Sequence, residues 1–327
     1  MLTEPRELDR DRLARFAAER WRLPPLTLEY LAVGFGSHHW DVRDGRGGRW
    51  FLTVDDLEAT WRRGVDADDS FAALAAAFAT AAALAAGGLE FVVAPLAARD
   101  GGVVQRLGPR WSVALTPYVE GESSPWGRWE SEDERRRMAG LLGRLHAATP
   151  LAAGGPRRDD LEIQSRAALE AALVELARPW RSGPLAEPAR ELLAPAAPRL
   201  RRRLAAYDRL AARVRSRADL VVTHGEPHRA NVLRTRDGFR LVDWDTTLLA
   251  QRERDLAMVL EDDLAGWEEY AAVAAGGGVR LDRDALRLYG EWWALTDVAV
   301  YVAQFRLPHA DDEQSRAAFA VLAENLR

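Results

Sequence analysis

Residues 221–232, VVTHGEPHRANV, place polar side chains directly after a short apolar run. Glu226 follows that run, Asn231 comes five residues later, and Asp243 lies in a second apolar run, LVDWD. Two apolar runs so close together predict a β-hairpin, which would bring the three side chains to one edge. Because strand ends on a rigid scaffold often present polar groups to a ligand, this edge is the candidate functional site.

These three side chains suit phosphoryl transfer. Asn231 and Asp243 offer the hard oxygen ligands that Mg²⁺ prefers. Glu226 could accept a proton from a hydroxyl, in a reaction where positioning and charge neutralisation provide most of the catalysis. Each residue alone has a simpler interpretation, because His-Gly-Glu-Pro can form a turn and an Asp after a strand is often a cap. The combination favours a catalytic site.

The composition narrows the class of protein. A chain of 327 residues with 48% hydrophobic and 29% charged side chains predicts a folded protein of two lobes. The net charge of −5 argues against a nucleic-acid partner. The absence of cysteine excludes disulfides, a thiolate metal site and a cysteine nucleophile. Lysine is also absent, so all 45 residues in the Lys and Arg total are arginine.

The longest uncharged run, residues 70–89, is mostly alanine, with Phe71, Leu74 and Phe78 at helical spacing. This pattern predicts a buried helix of a soluble protein rather than a membrane span. The first residues, MLTEPRELDRDRL, lack the apolar segment of a signal peptide. The expectation is a cytoplasmic enzyme or binding protein without a membrane partner.

The first 120 residues predict a small sheet with a helix against it. An amphipathic pattern over residues 7–21 indicates a helix, and apolar runs around glycine turns between residues 26 and 57 indicate strands. Residues 91–96 (FVVAPL) and 111–121 (WSVALTPYVEG) predict further strands.

The remainder of the chain is predicted to be mainly helical. Residues 120–128, EGESSPWGR, are turn-rich and predict a linker. Two short strands are expected within the helical part, at residues 219–224 and 239–244. The predicted helices span residues 130–148, 160–178, 187–216, 253–275 and 283–305. The fold class is therefore α+β.

Three motifs resemble the aminoglycoside phosphotransferase family: HGEPHRAN (224–231), LVDWD (241–245) and QRERDLAMVL (251–260). They are similar to that family's catalytic loop, metal-binding motif and following R-D-L-A segment. The runs VDWDTTLLAQRERDL and TDVAVYVAQF resemble its spectinomycin-phosphotransferase branch. The resemblance implies a two-lobed, protein-kinase-like fold, with a nucleotide-binding lobe over residues 1–118 and a catalytic, acceptor-binding lobe over residues 119–327.

The resemblance also implies roles for residues of the catalytic lobe. Glu226 stands where the family has its catalytic Asp, which deprotonates the acceptor hydroxyl. Asn231 and Asp243 would hold Mg²⁺ on the nucleotide phosphates. His224 would pack under the loop. Two further carboxylates would support the site from behind, and these are Asp245 and Asp255.

In the nucleotide lobe, the resemblance places ATP or GTP between a glycine turn and the hinge. Gly34, Gly36 and Ser37 would lie over the phosphates, although glycines there could serve only the geometry of a turn. Thr53 occupies the third-strand position next to the phosphates. The hinge segment would meet the adenine through its backbone, at Tyr118, Val119 and Glu120.

The sequence departs from the family pattern at the phosphate contacts. Thr53 replaces a Lys, and no acidic residue that could pair with such a Lys lies between residues 70 and 89. Arg49 would face the same side of the strand, but four residues span about 13 Å. Losing one charge-assisted hydrogen bond costs roughly 1.5–3 kcal/mol, which would weaken nucleotide binding without forbidding it. The remaining candidates for phosphate contact are Arg62 and Arg63.

The first functional expectation is an O-phosphotransferase acting on a small hydroxyl compound. An acidic stretch suits a cationic acceptor, although an ordinary helix surface explains it equally simply, and it comprises Glu261, Asp262, Asp263, Glu268 and Glu269. Trp267, Trp292 and Trp293 could line an acceptor pocket or belong to the core. The alternatives are a kinase-fold binding protein with little catalysis and a metabolic kinase for choline, a thiosugar or a homoserine-like acceptor.

Overall fold

The computed structural model describes residues 1–34, 36–59, 66–152, 155–217, 219–261, 263–274 and 278–327. A five-stranded antiparallel sheet in the order β1-β2-β3-β5-β4 forms the first part. Its strands are β1 (Leu26–Leu31), β2 (Ser37–Asp44), β3 (Arg49–Asp56), β4 (Gln105–Leu107) and β5 (Trp111–Pro117). Two helices accompany the sheet, and these are α1 (Arg10–Trp21) and α2 (Ala67–Ala86).

The second part is mainly helical. Its helices are α3 (Glu132–Ala147), α4 (Arg166–Val174), α5 (Ala186–Val214), α6 (Glu253–Leu256), α7 (Trp267–Val273), α8 (Arg283–Phe305) and α9 (Glu313–Asn325). Its short strands are β6 (Glu122–Ser123), β7 (Val221–Thr223), β8 (Val232–Thr235), β9 (Gly238–Leu241) and β10 (Leu248–Ala250). The predicted α+β class, with a small antiparallel sheet lobe followed by a larger helical lobe, is confirmed.

Side-chain alternation gives the N-terminal sheet an apolar face and a polar face. Trp40, Val42, Leu52 and Val54 are fully buried in a cluster with the apolar side of α1. The opposite face of β2 and β3 carries polar residues, because His39 is opposite Thr53 in the strand register. The sheet therefore presents its polar face away from its own core.

Helix α2 joins the two lobes through a shared core. Leu74, Phe78 and Leu84 are buried in one cluster with Met138 and Leu142 of α3. In the described part of the chain, α2 alone is long and apolar enough to cross a membrane. Its buried face agrees with the prediction of a buried helix.

The strand pairing of the catalytic segment differs from the predicted hairpin. The segment at 219–224 pairs through β7 with β10, and the segment at 239–244 pairs through β9 with β8. The prediction was wrong because a closer partner exists: residues 232–235 form β8 and turn back immediately at Gly238, where φ is 110°. A short local hairpin closes at a smaller entropic cost than a long one.

Other predicted elements are shorter or interrupted. The expected strand at 91–96 is only a bridge, in which Leu241 N donates to Phe91 O at 2.7 Å and thereby links the lobes. The expected helix 253–275 divides into α6 and α7, with Leu264 and Gly266 between them at φ values of 55° and 100°. The turn-rich linker 120–128 contains β6, which pairs with β8.

Candidate active site

The catalytic loop begins where β7 ends, and His224 fixes its path. His224 is fully buried, and its Nε2 donates to Val242 O at 2.9 Å while its Nδ1 accepts from Glu226 N at 3.2 Å. These two contacts require the neutral ring, and burial lowers the pKa of His224 to about 4. His224 therefore supports the loop from below, in the position that the sequence predicts.

Asp255 holds the same loop from the start of α6. Its carboxylate accepts from His224 N at 2.9 Å, from Gly225 N at 2.7 Å and from His146 Nε2 at 3.0 Å. Burial alone would raise its pKa, yet the hydrogen bond from His146 and the positive charge of Arg254 keep that pKa below its ordinary value. Asp255 is a fully buried anion that hydrogen-bonds the loop, as predicted.

Hydrogen bonds join Asn231 to the backbone of Glu226 and to Val242, the residue before Asp243. Asn231 Nδ2 donates to Glu226 O at 3.1 Å, and Val242 N donates to Asn231 O at 3.1 Å. Asp243 follows directly at the end of this contact, in a left-handed conformation with φ of 66°. Such a conformation is uncommon for residues other than glycine and often occurs at functional sites. The structure thus brings these segments together by a route other than the predicted hairpin.

The environment of Glu226 keeps its carboxylate ionised. Burial would raise the pKa of Glu226, but the neighbouring His228, His224 and Arg254 outweigh it and lower that pKa. His228 Nε2 lies 3.6 Å from Glu226 Oε2 and 3.3 Å from Asn231 Nδ2. The sequence analysis missed His228, although its place between the Glu and the Asn of the motif could have indicated it.

The donor set of Asn231 and Asp243 fits a magnesium ion. The amide nitrogen of Asn231 donates to Glu226 O, so the amide oxygen is oriented away from that contact and can act as a ligand. Among the described residues there is no cluster of three His, Asp or Glu side chains that could hold a metal alone. Few protein ligands are typical of Mg²⁺ sites, where substrate phosphates and water complete the shell.

The glycine turn connects β1 to β2 above this site. Gly34 and Gly36 have φ values of 69° and 92°, which favour glycine. The hydroxyl of Ser37 donates to the buried carboxylate of Asp55 at 2.6 Å. A nucleotide contact at residue 37 therefore depends on the backbone rather than on this hydroxyl. Phe35, between the two glycines, lies outside the described residues.

At the position of the family's third-strand Lys, Thr53 lies beside an imidazole. His39 Nδ1 is 3.3 Å from Thr53 Oγ1, and its ring is 4.9 Å from the Phe51 ring. His39 also lies beneath the glycine turn, because a Cβ on Gly34 would be 3.5 Å from His39 Nε2. The other candidate cations, Arg62 and Arg63, lie outside the described residues.

The hinge residues lie beside an ion-pair cluster. Arg49 pairs with Asp41 at 2.7 Å and with Glu120 at 2.9 Å, and its guanidinium lies 3.4 Å from the centre of the Tyr118 ring. Arg49 thus belongs to the hinge and does not replace the missing Lys. Tyr118 N donates to Arg49 O at 3.4 Å, so this amide already has a partner. The groups left to contact adenine would be the carbonyl of Tyr118 and the backbone of Val119 and Glu120.

A cavity of about 320 Å³ lies between the glycine turn, the catalytic loop and α8. Five residues to which the family resemblance gives a place at or near the site line it together: Gly36, Ser37, Glu226, Asp243 and Asp245. Asn231 and His224 lie behind this wall, whereas Thr53 and the hinge residues do not line the cavity. Of the three tryptophans left between a pocket and a core role, Trp292 and Trp293 line the cavity, although Trp292 also belongs to the buried core, and Trp267 stacks on Tyr270.

The acidic stretch after the metal-site segment faces arginines rather than the cavity. Asp263 pairs with Arg135 at 2.6 Å, and Glu269 pairs with Arg136 at 2.6 Å. Glu261 lies 3.9 Å from Arg135. Asp262 lies outside the described residues. These contacts support the interpretation as an ordinary helix surface.

The profile of the phosphotransferase enzyme family matches residues 27–289, which include parts of both lobes and the three motifs at 224–231, 241–245 and 251–260. The chain therefore belongs to the phosphotransferase enzyme family. The family resemblance inferred from the motifs is confirmed, and the protein is a small-molecule kinase.

Similar proteins support this assignment. Protein StrN of Streptomyces griseus is 28% identical over 351 aligned positions, which cover 100% of this chain and 96% of StrN. Spectinomycin phosphotransferase APH(9)-Ia, solved with ADP and spectinomycin, has a TM-score of 0.72 at 14% identity, covering 98% of this chain and 95% of that chain. Amicoumacin kinase hAmiN, solved with AMP-PNP, Ca²⁺ and Ami, has a TM-score of 0.58 at 14% identity, covering 98% of this chain and 93% of that chain. The kinase-like fold is therefore confirmed.

Proposed function

We propose that the protein transfers the γ-phosphate of ATP or GTP to a hydroxyl of a small molecule, such as an aminoglycoside or aminocyclitol, with Mg²⁺. The observation that carries this proposal is that Glu226 and Asp243 line one cavity with the glycine turn, while Asn231 is hydrogen-bonded to Glu226 O and to Val242 N behind them. The spectinomycin phosphotransferase solved with ADP and spectinomycin has the same fold, which supports a nucleotide and a small acceptor in one cleft.

The proposed lobes divide the work of substrate binding. Residues 1–118 bind the nucleotide between the glycine turn and the hinge, and residues 119–327 bind the acceptor and carry the catalytic loop. The last long strand of the sheet, β5, ends at Pro117, next to this boundary. At the phosphates, Thr53 and His39 take the place of the missing Lys.

In the proposed reaction, Glu226 accepts the proton of the acceptor hydroxyl. The hydroxyl oxygen forms a bond to the γ-phosphorus while the bond from that phosphorus to the bridging oxygen breaks and the nucleoside diphosphate leaves. Asn231 and Asp243 hold Mg²⁺, whose charge neutralises the phosphate oxygens when it is bound. Glu is one methylene longer than the family's Asp, so the acceptor oxygen lies slightly further from the backbone of residue 226.

A kinase-fold protein that binds a nucleotide or metabolite with little catalysis is the second candidate. It is favoured by Thr53 at the Lys position and by α2, which has acidic residues only in its first turn. Asn231 and Asp243 favour the enzyme, because a protein that only binds a nucleotide or metabolite does not need two residues suited to holding a catalytic metal.

A transfer assay separates the two candidates. The protein is incubated with Mg²⁺, with ATP or GTP, and with a panel of aminocyclitols and other alcohols, and phosphorylated product is measured by mass spectrometry. We expect product with at least one acceptor and none with the Asp243→Asn variant. A Mg²⁺-dependent increase in melting temperature with nucleotide, without product from any acceptor, would support the binding protein and refute the kinase.

A further inference from the structure

One wall of the cavity is a face of α8 that the proposed phosphoryl transfer does not use. Its residues recur at the helical spacing of three and four positions, and they are Trp293, Thr296, Asp297, Val300, Tyr301 and Gln304. We call these six residues the α8 face. They share the cavity with Glu226, so a molecule held by the α8 face lies beside the proposed base.

Two polar groups of the α8 face lack a partner. Thr296 is only 7% exposed, and its Oγ1 has no hydrogen-bond partner among the described residues. The indole Nε1 of Trp293 is also buried without a partner in that part of the chain. Since buried polar groups in folded proteins are nearly always satisfied, these two indicate hydrogen bonds to a bound molecule.

Asp297 places a negative charge in the same wall. Its carboxylate accepts a hydrogen bond from Asn325 Nδ2 at 3.4 Å, and it faces the like charge of Glu226 across the cavity. Burial raises the pKa of Asp297 to about 6, and the charge of Glu226 adds to this effect. A bound cation between the two carboxylates would offset the cost of burying the Asp297 charge and its repulsion from Glu226.

The other residues that line the cavity limit which kind of cation can bind. Trp293 and Tyr301 supply aromatic side chains, which attract an organic ammonium as well as its carbon skeleton. Arg157, Arg158 and Arg254 also line the cavity and offset the charges of its other carboxylates, so one ammonium group is sufficient to balance Asp297. A volume of about 320 Å³ is at the small end for ligand sites.

We propose that the α8 face binds the acceptor through a single ammonium group held by Asp297, with Thr296 and Trp293 hydrogen-bonding its polar substituents. The acceptor is then a compact amino alcohol or amino sugar rather than a neutral polyol or a long polycation. This inference rests on the proposed function, because it places a hydroxyl of the same molecule at Glu226. It also explains why the acidic stretch at 261–269 is not needed for a cationic acceptor.

Binding of matched probes by isothermal titration calorimetry tests the inference without requiring turnover. The probes are glucosamine, N-acetylglucosamine and glucose, together with streptamine, scyllo-inositol and ethanolamine. Each is titrated into the full-length protein and into the Asp297→Asn and Asp237→Asn variants. Asp237 is the matched control, because its side chain is 64% exposed in the turn between β8 and β9. Binding of MgATP is measured in parallel.

We expect at least one amine probe to bind about tenfold or more tightly than its neutral partner, the size of one favourable charged contact. Asp297→Asn should remove that preference, while Asp237→Asn and MgATP affinity stay unchanged. Equal binding of amine and neutral partners, an unchanged amine affinity in Asp297→Asn, or no binding of any amine would overturn the inference. Asp297-dependent amine binding without phosphorylated product would instead refute only the proposed function.

Discussion

Replacing Asp297 by Asn should stabilise the protein at neutral pH. Folding raises the pKa of this carboxyl from 3.8 to about 6, mainly by burial and then by the charge of Glu226. The folded protein therefore binds this proton more tightly than the unfolded chain does. The stability that the proton confers is complete below pH 4 and is lost as pH rises through 6.

The difference between the two pKa values corresponds to about 3 kcal/mol, at 1.36 kcal/mol for each unit. Asn carries no charge and can still accept a hydrogen bond from Asn325. At pH 8 the variant should be more stable than the original protein by up to about 3 kcal/mol, and near pH 4 the difference should vanish. Such a gain in stability is expected where a carboxylate is needed for ligand binding and is not needed for folding.

Urea unfolding of both proteins at pH 8 and near pH 4 measures this difference in free energy. The exposed control Asp237→Asn should change stability by no more than about 0.5 kcal/mol at either pH. In a Glu226→Gln background the gain at pH 8 should shrink, because one source of repulsion is gone. A loss of stability at pH 8, or the same gain at both pH values, would refute the reasoning.

Four further predictions concern the catalytic lobe and the phosphate contacts. Glu226→Gln should lower kcat by about 10²–10⁴-fold with little change in nucleotide affinity, measured by steady-state kinetics and calorimetry. Removal of divalent metal with EDTA should abolish transfer, and added Mg²⁺ should restore it in the original protein but not in Asp243→Asn. His146→Ala should destabilise the fold by about 1–3 kcal/mol in urea, because the buried carboxylate of Asp255 loses a hydrogen-bond donor. His39→Ala should weaken MgATP binding by about tenfold in calorimetry, the size of one lost hydrogen bond.

Each of these predictions has a contrary outcome. An unchanged kcat in Glu226→Gln would assign the proton to another acceptor, and full activity in EDTA would remove the metal from the proposal. A His146→Ala variant as stable as the original would show that Asp255 does not need this hydrogen bond. Unchanged MgATP affinity in His39→Ala would place the phosphate contact elsewhere in the chain.

The local patterns of the sequence predicted most helices well. The amphipathic run that begins at residue 283 is helical to residue 305, as predicted, and the run at 187–216 is helical over residues 186–214. Interruptions were missed where non-glycine residues adopt left-handed backbone, as at Leu161, Ser165 and Leu264. Tertiary contacts impose this conformation, so no local residue pattern predicts it.

The motif residues were easier to predict than the groups that hold them in place. Glu226, Asn231 and Asp243 stand out because their types and spacing suit one reaction. Their actual connection passes through backbone groups of residues 231 and 242, which side-chain patterns do not reveal.

The α8 face was predicted only in part. Asp297 lies far along the chain in an ordinary amphipathic helix, and only the packing of α8 against the cleft distinguishes it from a surface carboxylate. Trp293 was noted as a candidate, but its unpartnered indole nitrogen could be seen only in three dimensions.

Anomalous diffraction from crystals grown with Mn²⁺ and a non-hydrolysable ATP analogue tests the central proposal most directly. The account predicts a metal peak bound by the side-chain oxygens of Asn231 and Asp243, at about the 2.0–2.2 Å typical of hard divalent cations. The peak should also contact the phosphate oxygens of the analogue. A peak bound by other residues, or nucleotide bound without metal at this position, would contradict it.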